Sequence, residues 1–299
     1  MDARITKQRL GNLLSYDWLK ILLSVVAAVA VLVVFFTMVG TRPSSAQTFT
    51  VFCHEDLTAG SDFHTLADTL ENEEVFSYDI LSVGTESFSK GSSSTIFSTR
   101  RTVGTGNVYF VPDEAQKYNE EDGKLIEDSN QLVYLSGGTV YHGEGSQGSY
   151  YDTKYFLEEC ENYIAKFYKN GELNEPAVRE CFLNRNGKDK RFRTKAKKEA
   201  GIEQEKARIK KLHDDYEFVM NAFADGTLSH IDERKNAEGE TYNFGISLAG
   251  LKGLGELVTF NTEGSAPVAL MILRNNYKDN NLRYETVSFL RYLVKEYKG

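Results

Sequence analysis

Residues 104–113 read GTGNVYFVPD. Between a Gly-Thr-Gly turn and a Pro-Asp turn lies NVYFV, too short for a helix and apolar enough to be buried on both faces of a sheet. Upstream, residues 48–53 (TFTVFC) are β-branched and aromatic, the composition of a first strand. Between these two strands Ser61 is placed to cap a helix whose Phe63, Leu66, Ala67 and Leu70 recur at helical spacing. Residues 78–83 read as a second strand and residues 95–101 as a short helix. Strand alternating with helix predicts an α/β domain with mostly parallel strands and helical crossovers.

Downstream the alternation is interrupted. Residues 113–151 open on an acidic turn, Asn119-Glu120-Glu121-Asp122-Gly123, and continue into an expected hairpin, with residues 131–135 and 139–141 flanking Ser136-Gly137-Gly138. Residues 152–230 read as a helical insertion. Phe156, Cys160, Tyr163 and Phe167 fall on one face, as do Ile209, Leu212, Tyr216, Val219 and Phe223. Between them residues 185–211 are charged nearly all round, with Lys188, Lys190, Arg191, Arg193, Lys195, Lys197 and Lys198 crowded together and Glu199, Glu203 and Glu205 close behind. A helix polar on every side is expected to be solvated or to bridge to something. Strand pattern returns at residues 242–246, 257–261 and 268–273, before a terminal helix with Val287, Leu290, Leu293, Val294 and Tyr297 on its apolar face. Residues 48–112 and 242–299 are thus expected to form one lobe.

Ahead of the domain, residues 21–39 read ILLSVVAAVAVLVVFFTMV, opening on Ile21 and closing on Val39, with Ser24 and Thr37 the only polar side chains. As a helix they would rise roughly 28 Å, close to the thickness of a bilayer core. Arg4, Lys7, Arg9 and Lys20 precede the run, while only Arg42 follows it before Lys90, so residues 1–20 are expected in the cytoplasm and the domain outside. Tyr16 and Trp18 stand where an aromatic belt would anchor the inner interface. The competing reading is a cleaved signal peptide, for which Ser44-Ser45-Ala46 supplies small residues. Nineteen residues exceed a signal core of about 7–15, which favours an uncleaved single-pass anchor followed by a linker over residues 40–47.

Of 35 basic and 43 acidic residues, 5 and 2 fall in residues 1–46, leaving the remainder at 30 − 41 = −11. That balance argues against nucleic acid as a partner. Three cysteines are too few for a disulfide framework. Cys160 and Cys181 are placed either to bridge neighbouring helices or to remain two buried thiols, the second being favoured.

The opening unit, ending in Gly-Asn-Val-Tyr-Phe-Val-Pro-Asp at 106–113, resembles the first lobe of type II extracellular solute-binding proteins, with Asn107 where that family usually has Asp. Residues 242–247, 267–276 and 285–297 are similar to the family's return strand and the helix that packs back on the first lobe. The resemblance implies capture of a small polar solute on behalf of an ABC-transporter permease. The chain departs from it in length, so the second lobe is expected to be reduced to helices or absent.

In open α/β sheets ligands gather beyond the carboxyl ends of strands. Those ends are expected to supply His54, Glu55 and Asp56, then Thr85 and Glu86, then Asp113 and Glu114, and finally Arg274, Asn275 and Asn276. Tyr109, Tyr134, Tyr141, Tyr150 and Tyr151 are available to stack on a sugar ring, although packing is the commoner role of a tyrosine. No metal, cofactor or catalytic motif is found. Gly123 has Tyr118 where a calcium loop needs an acid, and Glu144 replaces the glycine of a nucleophile elbow before Ser146. The expectation is a non-catalytic extracellular protein that binds a small polar solute or assists a transporter. The alternative is a structural or assembly protein that binds a protein or wall partner.

Overall fold

The computed structural model describes residues 11, 18–39, 43–91, 93–126, 129–187, 189–260, 267–275 and 281–299. The chain divides into two units, Met1–Pro43 and Ser44–Gly299. In the first, α1 spans Trp18–Val39. Its described side chains run unbroken over residues 22–34, roughly 20 Å of rise, and among the described residues no helix is long and apolar enough to cross a membrane. The membrane anchor therefore rests on the sequence alone.

The second unit is built on a six-stranded sheet in the order β3-β1-β4-β10-β8-β7, where β1 is Thr48–Cys53, β3 Ser82–Ser87, β4 Val108–Pro112, β7 Ser229–Ile231, β8 Gly245–Ser247 and β10 Val268–Ile272. β1 lies parallel to both β3 and β4, whereas β10 is antiparallel to β4 and to β8, and β7 to β8. Four strands, β1, β3, β4 and β8, therefore point one way and two the other. A short strand β2, Leu57–Ala59, pairs with β9, Val258–Phe260, in a separate two-stranded sheet, and β5, Tyr168–Lys169, pairs with β6, Glu172–Leu173, in another. The β2–β9 pairing takes the expected strand at residues 257–261 out of the main sheet.

Side chains alternate across the sheet with the period of two that pleating imposes. Phe49, Val51, Val108, Phe110, Leu270 and Ile272 face one layer, which also holds residues of α2 (Ser61–Asn72), α5 (Thr153–Ala165), α7 (Lys195–Ala224) and α8 (Thr286–Tyr297). Phe52, Tyr109, Val111, Ala269 and Met271 face the other, under α3 (Ser93–Thr102) and α4 (Gln131–Ser136). Both faces of β4 and β10 are covered, as the apolar NVYFV segment predicts. Phe156, Cys160, Ile209, Leu212 and Val219, from the helical stretch, pack into the same core as the sheet. Each such side chain contributes about 1.5–3 kcal/mol by leaving water.

Three local expectations are corrected. Residues 131–136 are helix α4, not the arm of a hairpin: Asn130 accepts hydrogen bonds from the Leu132 and Val133 N–H groups, and Gly137 ends the helix at φ 64°. The Gly137-Gly138 pair serves a left-handed helix end instead of a β-turn. The second strand is Ser82–Ser87, a polar edge strand, while residues 77–81 form a turn in which Asp79 is buried against two arginines. Gly60, not Ser61, occupies the N-cap of α2.

Candidate functional site

The expected site residues do not converge, because β10 runs against β4. Its trailing residues therefore emerge at the end of the sheet opposite Asp113. There Arg101 of α3 donates to the Asn275 side chain and to the Arg274 and Ser149 carbonyls, and Leu273 donates to the Asn107 carbonyl. The Arg274 guanidinium lies 3.8 Å from the centroid of the Tyr141 ring. Asn276 lies outside the described residues.

At the other end, His54 follows β1 and is 5 % exposed. Its Nδ1 accepts from the Asp56 N–H at 3.2 Å, and burial holds the ring's pKa below its ordinary value against the opposing pull of Asp56. Both observations describe a neutral imidazole, so the 3.5 Å contact with the Asp56 carboxylate is not an ion pair. Asp56 instead meets Lys90 at 3.3 Å. Glu55 Oε2 is buried and has no hydrogen-bond partner among the described residues.

Thr85 and Glu86 lie inside β3, opposite Val51 and Phe52, not beyond its end. Glu86 takes two hydrogen bonds from Arg100. Asp113 receives Arg234 in fork geometry, at 3.0 and 2.9 Å, and the Asn130 amide at 3.1 Å. Burial raises its pKa, and Arg234 and Asn130 only partly offset this. The Glu114 carbonyl is a second acceptor for Asn130, so this group ties the loop after β4 to the cap of α4 and to the stretch before β8. Of the candidate stacking tyrosines, Tyr109, Tyr150 and Tyr151 are core residues, Tyr141 is covered by Arg274, and Tyr134 is exposed.

The main polar feature that sequence reasoning missed lies where solvated helix was expected. Arg208 of α7, its side chain 1 % exposed, donates to Glu285 at 3.0 Å, to Glu205 at 3.0 Å and to the Tyr163 hydroxyl at 3.2 Å. Glu205 also accepts from Arg185, at the end of α6 (Glu175–Asn186), and from the Tyr78 hydroxyl at 2.8 Å. Arg191 reaches Asp79 at 2.8 Å. Burial pushes the Glu205 carboxyl up, but Arg208 and Arg185 together hold it below the ordinary carboxylate value. The only sequence signal was the spacing of Glu205 and Arg208, three apart on one helix face.

An open cleft of about 700 Å³ borders this network, lined by Tyr163, Phe167, Cys181, Asn184, Arg185 and Asn281. It lies on the helices, away from the strand-end loops. No disulfide links the cysteines. Burial pushes the Cys53 thiol up to about 12 and raises that of Cys160, which disfavours a thiolate nucleophile at either. Among the described residues no group of three or more His, Cys, Asp or Glu side chains is arranged to hold a metal ion. No family model matches the chain, and neither a curated protein nor a solved structure is similar to it.

Proposed function

We propose that this is a single-pass membrane protein whose outward-facing α/β domain is a non-catalytic platform for a protein or wall partner. The reading is supported chiefly by the fate of the strand-end polar groups. Asp113 is held by Arg234, Glu86 by Arg100, Asp56 by Lys90 and Asn275 by Arg101, so these four groups are engaged with partners inside the domain. Packing of the helical stretch into the sheet's own core adds support, because closed-cleft capture needs two bodies that move apart. The tether is supported by residues 21–39 and the basic flank before them.

A second reading, binding of a small polar solute beside a transporter permease, is favoured by the 700 Å³ cleft on α5 and α6. Thermal unfolding of residues 44–299 with sugars, amino acids, short peptides and cations separates the two, since a ligand held by the native state raises the midpoint by mass action. The platform reading expects no shift with any of them. A saturable shift that is lost in Asn184→Ala would replace it with the solute reading.

A further inference from the structure

One edge of the main sheet is open. β3 is six residues long, pairs with β1 on one side, and has no strand on its other side among the described residues. Its register with β1 is unbroken from Ser82 to Ser87, and the Phe88 N–H donates to the Cys53 carbonyl. The even-numbered N–H groups of β3 therefore turn toward β1, and those of Val83, Thr85 and Ser87 turn away. In keeping with that alternation, Glu71 of α2 accepts from the Val83 N–H at 2.8 Å. No acceptor meets the Thr85 or Ser87 N–H among the described residues. Sheet edges are ordinarily blunted by proline, lysine, a bulge or brevity, and SVGTES has none of these. The opposite edge, β7, is only three residues long.

Beside the open edge lies a groove of about 500 Å³, lined by apolar Phe76, Ile80, Leu81 and Val83 and by Glu71 and Glu74. Leu81 is 39 % exposed. Both glutamates are exposed, and among the described residues neither forms an ion pair. They stand at and just beyond the carboxyl end of α2, whose last turn holds no basic residue. The helix dipole adds negative charge at that end, so the groove favours a cation. We propose that β3 and this groove receive an extended basic segment of the partner protein, added as a seventh strand. An aliphatic side chain of the segment covers Leu81 and Val83, and a Lys or Arg meets Glu71 and Glu74. Main-chain bonds at Thr85 and Ser87 supply affinity and the groove supplies selectivity. The inference rests on the platform reading and narrows its partner to a polypeptide. A second copy of this chain is the poorer occupant, because its own β3 carries no Lys or Arg to meet the glutamates.

The probe is a fluorescent nine-residue peptide of alternating lysine and valine, titrated into the full chain in zwitterionic detergent and followed by anisotropy. Expected is saturable binding that is lost when the peptide's backbone nitrogens are methylated, which keeps its charge and removes its donors. Thr85→Pro removes an outward N–H at an edge position where proline is tolerated, and weakens binding by at least about 10-fold with an unchanged circular dichroism spectrum. Glu71→Gln with Glu74→Gln keeps an acceptor for Val83 and weakens binding by about 3–10-fold. Absence of binding, equal binding of the methylated peptide or of a glutamate–valine peptide, or variants that bind as the parent does would each overturn the proposal. So would concentration-dependent dimerisation abolished by Thr85→Pro, which would assign the edge to a second copy. Each of these results leaves the platform reading in place, because that reading falls instead to a saturable thermal shift with a small solute.

Discussion

Arg208→Met is the most informative single change in the domain. It deletes the cation shared by Glu205 and Glu285, whose side chains are 0 % and 2 % exposed, and also the bond to Tyr163. Glu205 keeps Arg185 and Tyr78, but among the described residues Glu285 is left with the Ser77 N–H at 3.1 Å. Stranding one partner of a buried pair costs about 3–5 kcal/mol. For a domain of this size each kcal/mol lowers the melting midpoint by about 2–4 °C, so a fall of about 6–20 °C is expected. Circular dichroism melts and urea titrations of residues 44–299 read it directly. Because the folded Glu205 carboxyl sits below its unfolded value, its contribution is present above the ordinary carboxylate pKa and is lost as pH falls through the folded one. Without Arg208 that depression shrinks, and acid unfolding should begin at a higher pH. Adding Glu285→Leu should recover part of the loss, since an apolar replacement of the pair avoids the stranded charge. A loss under about 1 kcal/mol in Arg208→Met would refute the view that these buried charges hold α5, α6 and α7 to the segment before α8.

His230, hydrogen-bonded to Thr153 at 2.7 Å and stacked on Phe223, has its pKa lowered to about 4 by burial and by Lys154, so its NMR titration should lie near there. Its folded pKa is below the unfolded one, so the stability it contributes is full above the ordinary histidine value and lost as pH falls toward 4. Gly106→Ala should destabilise by about 1–3 kcal/mol or more, because φ is +106° and the new Cβ would lie 2.3 Å from the Phe52 ring. Thiol labelling of the native domain should spare Cys53 and Cys160, both 0 % exposed, until denaturant releases all three cysteines; rapid native labelling of Cys160 would contradict its packing.

The parts of the fold that could be read from sequence are those where one period dominates. NVYFV at residues 107–111 and the run at 268–273 were legible because burial on both faces leaves little but apolar side chains. The terminal helix was legible from Val287, Leu290 and Leu293. Residues 78–83 misled because Tyr78, Ile80 and Leu81 imitate a strand, while Asp79 is recruited by arginines more than a hundred residues away. β3 is an edge strand whose SVGTES sequence carries little apolar signal. The convergence expected of the strand ends was not legible for a topological reason. A strand's direction is not written in its composition, so Arg274 and Asn275 could not be assigned to the correct end of the sheet until β10 was seen to be antiparallel to β4. The charges at Arg185, Glu205 and Arg208 looked solvated because pairing across α6, α7 and the segment before α8 leaves no local pattern beyond the Glu205–Arg208 spacing.

The most direct test of the central proposal is protease treatment of intact cells producing the full chain with a C-terminal tag, before and after membrane permeabilisation. Loss of the tag in intact cells, with a short anchored fragment left in the membrane, is the expected result. A tag that survives in intact, wall-stripped cells and disappears only on permeabilisation would contradict an outward-facing domain on an uncleaved tether.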